Sequence, residues 1–261
     1  VNVDTVHLKG HPSMASTGPD RDDFEESGSL LGRLERVWEA AAATDGKLPA
    51  EPVLASALTA SRPALREALV RLEERGYITR RQGTETAVNR ALLDIPVRID
   101  EKASNATIID ALGMTSRVEL LTMRWGDATA DERKRFHVND SHGVLRTTKV
   151  WYADDTAMIL AEDVIPVRID GLSRTLVDAR TSIFELSEQL GNRRAEWETV
   201  WLAAASLDEV RAPLLHGTPG EAVLEFDVTG VTRDGATAYW GSELHRPAAG
   251  KYAMVRSLTS R

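Results

Sequence analysis

The apolar positions along this chain change their period near residue 104. Before it they recur every three or four residues. Leu30, Leu31, Leu34, Val37, Trp38 and Ala41 line one face of a predicted helix over 30–43, and Leu65, Ala68, Leu69 and Leu72 line another over 61–75. A shorter helix is predicted from Leu48-Pro49-Ala50-Glu51 to about Leu58, with Thr59-Ala60 as the turn between it and the next. Ser61 is a good N-cap, Pro63 falls in the first turn where a missing N–H costs little, and Gly76 closes the helix. Residues 77–82 and 86–88 then read as two short strands around a turn at Gly83-Thr84.

After residue 104 the pattern is mixed. Strands are predicted over 118–124, 145–152, 157–165, 195–204, 223–232 and 237–245, the last two joined by the hairpin signal Arg233-Asp234-Gly235. Short helices fall around Ile108, Ile109 and Leu112, and over 131–136, 180–190 and 207–215. An antiparallel sheet with helices on one side is an α+β domain.

The chain of 261 residues has room for two ordinary domains, and 42% hydrophobic with 28% charged residues is the balance of a soluble globular protein. No apolar run approaches membrane-spanning length and no signal-peptide pattern opens the chain, so no membrane partner is expected. The first residue, Val1, is consistent with a non-standard start codon or a processed end. With no Cys there are no disulfides or thiolate metal sites, which fits a cytoplasmic location. His137 and His142 flank Asn139-Asp140-Ser141, a common loop spacing, and neither metal nor cofactor is expected. The expected layout is a disordered acidic tail over 1–29, a first domain over 30–90, a linker over 91–103 and a second domain over 104–261.

Charge sharpens the first domain. The formal net charge is -8, yet residues 62–81 hold six arginines (62, 66, 71, 75, 80 and 81) against three acids (Glu67, Glu73 and Glu74). The basic footprint is local. Arg62 and Arg66 lie one turn apart beside the apolar stripe, and Arg80-Arg81 sit on the predicted ribbon. Alone, such a helix reads first as a solvated face. With a basic ribbon beside it, two guanidiniums near a helix N-terminus suit major-groove reading, where Arg contacts guanine O6 and N7.

The pattern LPAE followed by SRPALREALVRLEERGYITRRQG resembles the winged helix-turn-helix of the GntR transcription factors over about residues 30–90. The resemblance implies that Ser61, Arg62, Pro63 and Arg66 on the recognition helix, and Arg80, Gln82, Gly83 and Thr84 on the wing, face double-stranded operator DNA. Three departures stand out. Pro52 occupies the place of a phosphate-contacting Arg, Pro63-Ala64 replace a Thr pair, and Glu85 replaces the second wing glycine. Each removes a phosphate contact or adds repulsion, so a shallow salt dependence is expected.

The order of elements after residue 104, with Ser182-Ile183-Phe184-Glu185-Leu186, the Pro219-Gly220 turn and the Gly235 hairpin, resembles the UTRA effector domain of the HutC branch, a fold similar to chorismate lyase. The implied fold is α+β: an N-terminal winged helix-turn-helix, then an antiparallel-sheet UTRA domain. By that likeness Ser104, Lys149, Trp151, Asp163, Tyr239, Glu243 and His245 surround a small-molecule effector. Lys149 and Trp151 stand where phosphosugar-binding relatives carry an Arg-x-Arg clamp, and Ala161 where they carry a carboxylate. One cation in place of two weakens a phosphate grip, and added aromatics suit an aromatic or partly apolar effector with an acidic group for Lys149. Plain packing of Trp151 and Tyr239, and an ordinary surface role for His245, remain the alternatives. The function implied is a ligand-responsive regulator, a repressor binding a palindromic operator as a homodimer. The alternative is a lyase-type enzyme, for which Glu243 and His245 would be the acid–base pair.

Overall fold

The stripe read over 30–43 forms α1 (Leu30–Ala43), whose N-cap Ser29 accepts the Gly32 N–H at 3.0 Å. A computed structural model describes residues 29–44, 46–81, 85–101, 103–138, 142–168, 177–247 and 252–256. The tail over 1–28, Gln82-Gly83-Thr84 and Asn139-Asp140-Ser141 lie outside the described residues, as does the side chain of His142. The described chain divides into two compact units, one of residues 29–103 with 252–256 and one of residues 104–247.

In the first unit α1 packs with α2 (Glu51–Ala57) and α3 (Arg62–Glu74) around Leu34, Trp38, Leu54, Leu65, Leu69 and Leu72. Pro in the first turn of α2 and of α3 costs neither helix a hydrogen bond. Thr59 between them adopts a left-handed φ of 50°, an uncommon position for a β-branched residue and a tight turn in the path. Gly76, at φ 81°, ends α3, and a Cβ there would lie 3.1 Å from Val255. The ribbon is β1 (Ile78–Thr79) against β2 (Ala87–Val88), with Ile78 opposite Val88. Residues 46–48 add to β2 through the Lys47–Ala87 bridge and the Leu48 N–H to Thr86 O bond of 3.0 Å. Trp38 ties ribbon to helices, donating from Nε1 to Tyr77 O at 2.8 Å.

The expected linker is structured. A 3-10 turn covers Arg90–Asp94 with Leu92 buried, and Val97 to Ile99 run extended beside Ala253. Ile99 N–H donates to Ala253 O at 2.9 Å and Ala253 N–H to Val97 O at 3.1 Å. The described C-terminal residues therefore group with the first unit, whereas the sequence reading assigned everything to residue 261 to the second. Long-range strand pairing of this kind leaves no local signal.

The second unit is one six-stranded antiparallel sheet in the order β3-β4-β5-β8-β7-β6. Its strands are β3 (Ser116–Asp127), β4 (His142–Ala153), β5 (Thr156–Arg168), β6 (Ala195–Ser206), β7 (Ala222–Thr232) and β8 (Thr237–His245). Three helices, α4 (Asn105–Ala111), α5 (Ala130–Phe136) and α6 (Ile183–Gly191), accompany it. Two expectations need correction. Residues 207–215 form turns and a 3-10 segment, Pro213–Leu215, because the Asp208 side chain takes the N–H groups of Val210 and Arg211. The helices also cover both faces: Phe136 packs on Val144 and Val164, whereas Phe184 meets Tyr239 on the opposite face. The central strands are apolar on both sides, with Val150 and Leu160 on one and Ile159 and Ala161 on the other, so both must be covered.

Candidate functional sites

Ser61, Arg62, Pro63 and Arg66 cluster on the exposed N-terminal turns of α3. Ser61 Oγ accepts the Ala64 N–H at 3.4 Å, while Leu65, Ala68, Leu69 and Leu72 turn inward and leave the arginines outside. The arginines of this surface are not equivalent. Arg62 makes no hydrogen bond or ion pair among the described residues. Arg66 donates from Nε to Glu51 on α2 at 3.0 Å. Arg80 is half-buried and bound to Glu73 by its backbone N–H at 2.9 Å and its Nε at 3.0 Å. Much of the local positive charge is answered at home, as Arg71 pairs with Glu67 at 2.8 Å and Arg75 with Glu35 at 2.8 Å. Glu85, read as repulsive to a DNA backbone, is ion-paired with Lys47. Gln82, Gly83 and Thr84 lie outside the described residues. Glu51 and Lys47 were not legible as members of this surface, and Glu73 was legible as an acid there but not as the partner of Arg80.

Behind it, Arg98 is buried and fastens the end of α3. It donates to Arg75 O at 2.9 Å, pairs with Asp100 and Glu101, and lies 5.1 Å from the centre of the Tyr77 ring. Tyr77 OH donates to Glu101 at 2.9 Å, and burial, then the Glu101 charge, raises its pKa well above the ordinary phenol range.

In the second unit, strand register brings the predicted effector residues to one face. Lys149, Ala161, Glu243 and Phe226 lie across neighbouring strands, and Thr147, Asp163 and Gly241 form the next row. Lys149 Nζ is 2.8 Å from Asp163 Oδ2 and donates to Thr181 O at 3.0 Å. Thr147 Oγ1 donates to the same Asp163 oxygen at 3.0 Å, and a Cβ on Gly241 would crowd Asp163 Oδ1 at 3.2 Å. Glu243 accepts from Asn105 Nδ2 at 2.9 Å and meets His245 Nε2 at 3.0 Å. Burial pushes the Glu243 pKa up, but the bonds from His245 and Asn105 and the Lys149 charge outweigh it and hold the group below the usual range. His245 stacks on Phe226 with ring centres 4.2 Å apart.

Several of these groups are spent on the fold itself. Tyr239 is fully buried, donates to Glu198 at 2.7 Å and lies over Gly230, where any Cβ would clash at 2.3 Å. Burial, then Glu198, raises its pKa far above the ordinary value. Ser104 Oγ caps α4 by accepting the Thr107 N–H at 3.2 Å. Trp151 packs among Ile109, Val118 and Met158, and its buried Nε1 has no hydrogen-bond partner among the described residues. The reading of Lys149 as a cation waiting for an acidic ligand overlooked Asp163 as its partner. Asn105, Thr147, Glu198 and Phe226 were missed too. Period-two reading of β6 and β7 would have put Glu198 and Phe226 on this face.

Residues 34–88 match the family model for bacterial regulatory proteins of the gntR family, and residues 111–249 match the UTRA domain model. The chain belongs to the GntR–UTRA regulators. This is the domain order of the HutC branch. The GntR–UTRA chain shares its fold with a possible transcriptional regulator YydK of Bacillus subtilis (TM-score 0.65, 14% identity, 87% of this chain and 97% of that one). It is also similar to PhnF of Mycobacterium smegmatis (TM-score 0.55, 20% identity, 88% and 100% covered). A Vibrio cholerae fatty acid metabolism regulator protein is 26% identical over 141 residues, half of each chain, so this chain spans about half the length of the curated relatives it matches. These are regulator families, which favours a regulator over the lyase-type alternative.

Proposed function

We propose that this GntR–UTRA chain is a ligand-responsive transcriptional repressor that binds a palindromic operator as a homodimer. The observation that carries the reading is the exposed start of α3, with Arg62 and Arg66 beside the β1–β2 ribbon. One recognition helix buries too little for tight specific binding, so two copies are needed, about 34–36 Å or a multiple apart on the duplex. Support for self-association comes from β6, an edge strand on which Trp197 and Trp201 are 71% and 70% exposed. A long apolar edge left in water invites pairing, and a second copy of the same edge would cover it with two-fold symmetry. Among the described residues no helix is long and apolar enough to cross a membrane. A cytoplasmic location, where the operator is, follows from the reading.

The effector is proposed to bind the sheet face of Lys149, Asp163, Glu243 and His245, with Ser104, Trp151 and Tyr239 holding the fold around it. Because Asp163 already answers Lys149, an acidic ligand would have to compete with it, and phosphate dianions are disfavoured. Hexosamine 6-phosphates, aromatic carboxylic acids and fatty acids form the screening panel, the last suggested by the name of the Vibrio relative. A low-micromolar calorimetric response to a hexosamine 6-phosphate overturns this effector class. A coupling of about 1–3 kcal/mol between effector and operator suffices for control.

The deciding experiment is fluorescence anisotropy with the chain's own promoter DNA. Arg66→Ala is expected to cut operator affinity at least about a hundredfold, the upper end of one bidentate base contact, while the ligand-induced thermal shift persists. Promoter DNA bound no better than random sequence sinks the reading. On a sizing column Trp201→Asp is expected to elute as a monomer, and a dimer of unchanged concentration dependence rejects the β6 interface.

A further inference from the structure

The three arginines with which the DNA-binding reading equips this surface differ in how they are held, and the difference assigns them different work. Arg80 is bound by Glu73 at Nε and also at Nη2, each at 3.0 Å, so most of its donor fork is spent bracing the ribbon against α3. Arg62 has no partner among the described residues. Arg66 is intermediate. Its Nε is taken by Glu51 Oε2 at 3.0 Å, its two Nη groups make no hydrogen bond among the described residues, and its side chain stays 68% exposed.

We propose that Glu51 is the positioning residue that makes Arg66 the base-reading arginine, leaving Arg62 to contact phosphate and Arg80 to support the wing. An arginine can meet guanine end-on through Nη1 and Nη2 while Nε is engaged elsewhere, and a carboxylate on Nε fixes the plane of the fork. A side chain so held loses less rotamer freedom on binding than a free one. The Glu51 charge also repels the phosphate backbone, so the device trades non-specific attraction for discrimination. That trade agrees with the ion-paired Glu85 and Lys47 on the ribbon, which likewise add no net charge. Glu51 sits at the first turn of α2 and Arg66 at the second turn of α3, so the turn between the two helices sets the spacing of the pair.

The inference rests on the DNA-binding reading, and the two fail differently. The measurement is the ratio of affinities for promoter and random DNA over a salt series. Glu51→Ala is expected to lower that ratio about tenfold, within the range of one bidentate contact, with random-DNA affinity equal or higher. Arg62→Ala is expected to weaken both DNAs alike and to reduce the salt slope by about 1. Glu51→Ala placed on Arg66→Lys is expected to change the ratio no further, because the partner it positions is already gone. An unchanged ratio in Glu51→Ala overturns the inference, as does an equal drop in the Arg66→Lys background, which would mark a role in folding α2. A wild-type chain that does not discriminate promoter from random DNA removes the DNA-binding reading, and the inference with it.

Discussion

Arg66 on α3 and Lys149 on β4 are both cations with one carboxylate partner, Glu51 at 3.0 Å and Asp163 at 2.8 Å, yet they are opposite in kind. The first pair keeps 68% and 41% of its side chains in solvent, the second 2% and 2%. An exposed ion pair is worth about 0–1 kcal/mol, so it can orient a side chain without the fold depending on it. A buried pair has lost its hydration and stays whole, because an unpartnered charge left behind costs about 3–5 kcal/mol. The lesson is that proximity of opposite charges says nothing about function until burial is known. In the first unit the pairing orients a guanidinium whose outer donors stay open to solvent. In the second it is part of the sheet, and a ligand has to work around it.

The largest expected effect tests the buried half of this comparison. Lys149→Met leaves the Asp163 carboxylate unanswered and is expected to cost about 3–5 kcal/mol in urea unfolding, while adding Asp163→Leu recovers most of the loss. Arg66→Ala, by contrast, is expected to shift stability by less than about 1 kcal/mol. If Lys149→Met proves as mild as Arg66→Ala, the comparison breaks. A smaller effect concerns the first unit. Ending the chain at Gly250 removes the paired hydrogen bonds of Ala253 with Val97 and Ile99 and the cover Val255 gives Gly76. Two such bonds and a partly buried valine amount to about 2 kcal/mol, to be read as faster amide exchange at Ile99 and in α3.

The smallest effect is a pH dependence. The folded Glu243 carboxyl titrates below its ordinary value of 4.5, so the folded state binds fewer protons there than the unfolded state. Its contribution is present above pH 4.5 and is lost as pH falls through the lowered folded value. Glu243→Gln is expected to flatten the acid limb of the stability profile relative to wild type, with little change near neutrality. An identical slope in both would mean that the His245 and Asn105 contacts do not hold the ionised form.

Much of the fold was legible because its signals are short-range. The Ser61 cap, the stripe through Leu65 and Leu72, and the Asp234-Gly235 turn each need only a few neighbouring residues. The candidate sites were legible in part. The resemblance grouped Lys149, Asp163, Tyr239, Glu243 and His245, and strand register puts all five on one face of the sheet. Their partners were not. Asn105 reaches Glu243 across 138 positions and Tyr239 reaches Glu198 across 41, separations at which no pattern in the chain distinguishes one polar residue from another. The turn over 207–215 failed for a different reason: Asp208 captures nearby N–H groups and Pro213 offers none, so local polar chemistry overrode an apolar spacing that looked helical.

By itself the chain's order of residues determined the two-domain plan, the element types outside 207–215 and the outward placement of Arg62 and Arg66. Periodicity, caps and glycines act over one or two turns, and tertiary contacts had no reason to oppose them. Only the tertiary structure decided which charges are answered from within, since an ion pair is made by distance and burial, and both are set by strands and helices remote in sequence. That is why Lys149 became framework while Arg66 stayed available, although each is a cation near a carboxylate.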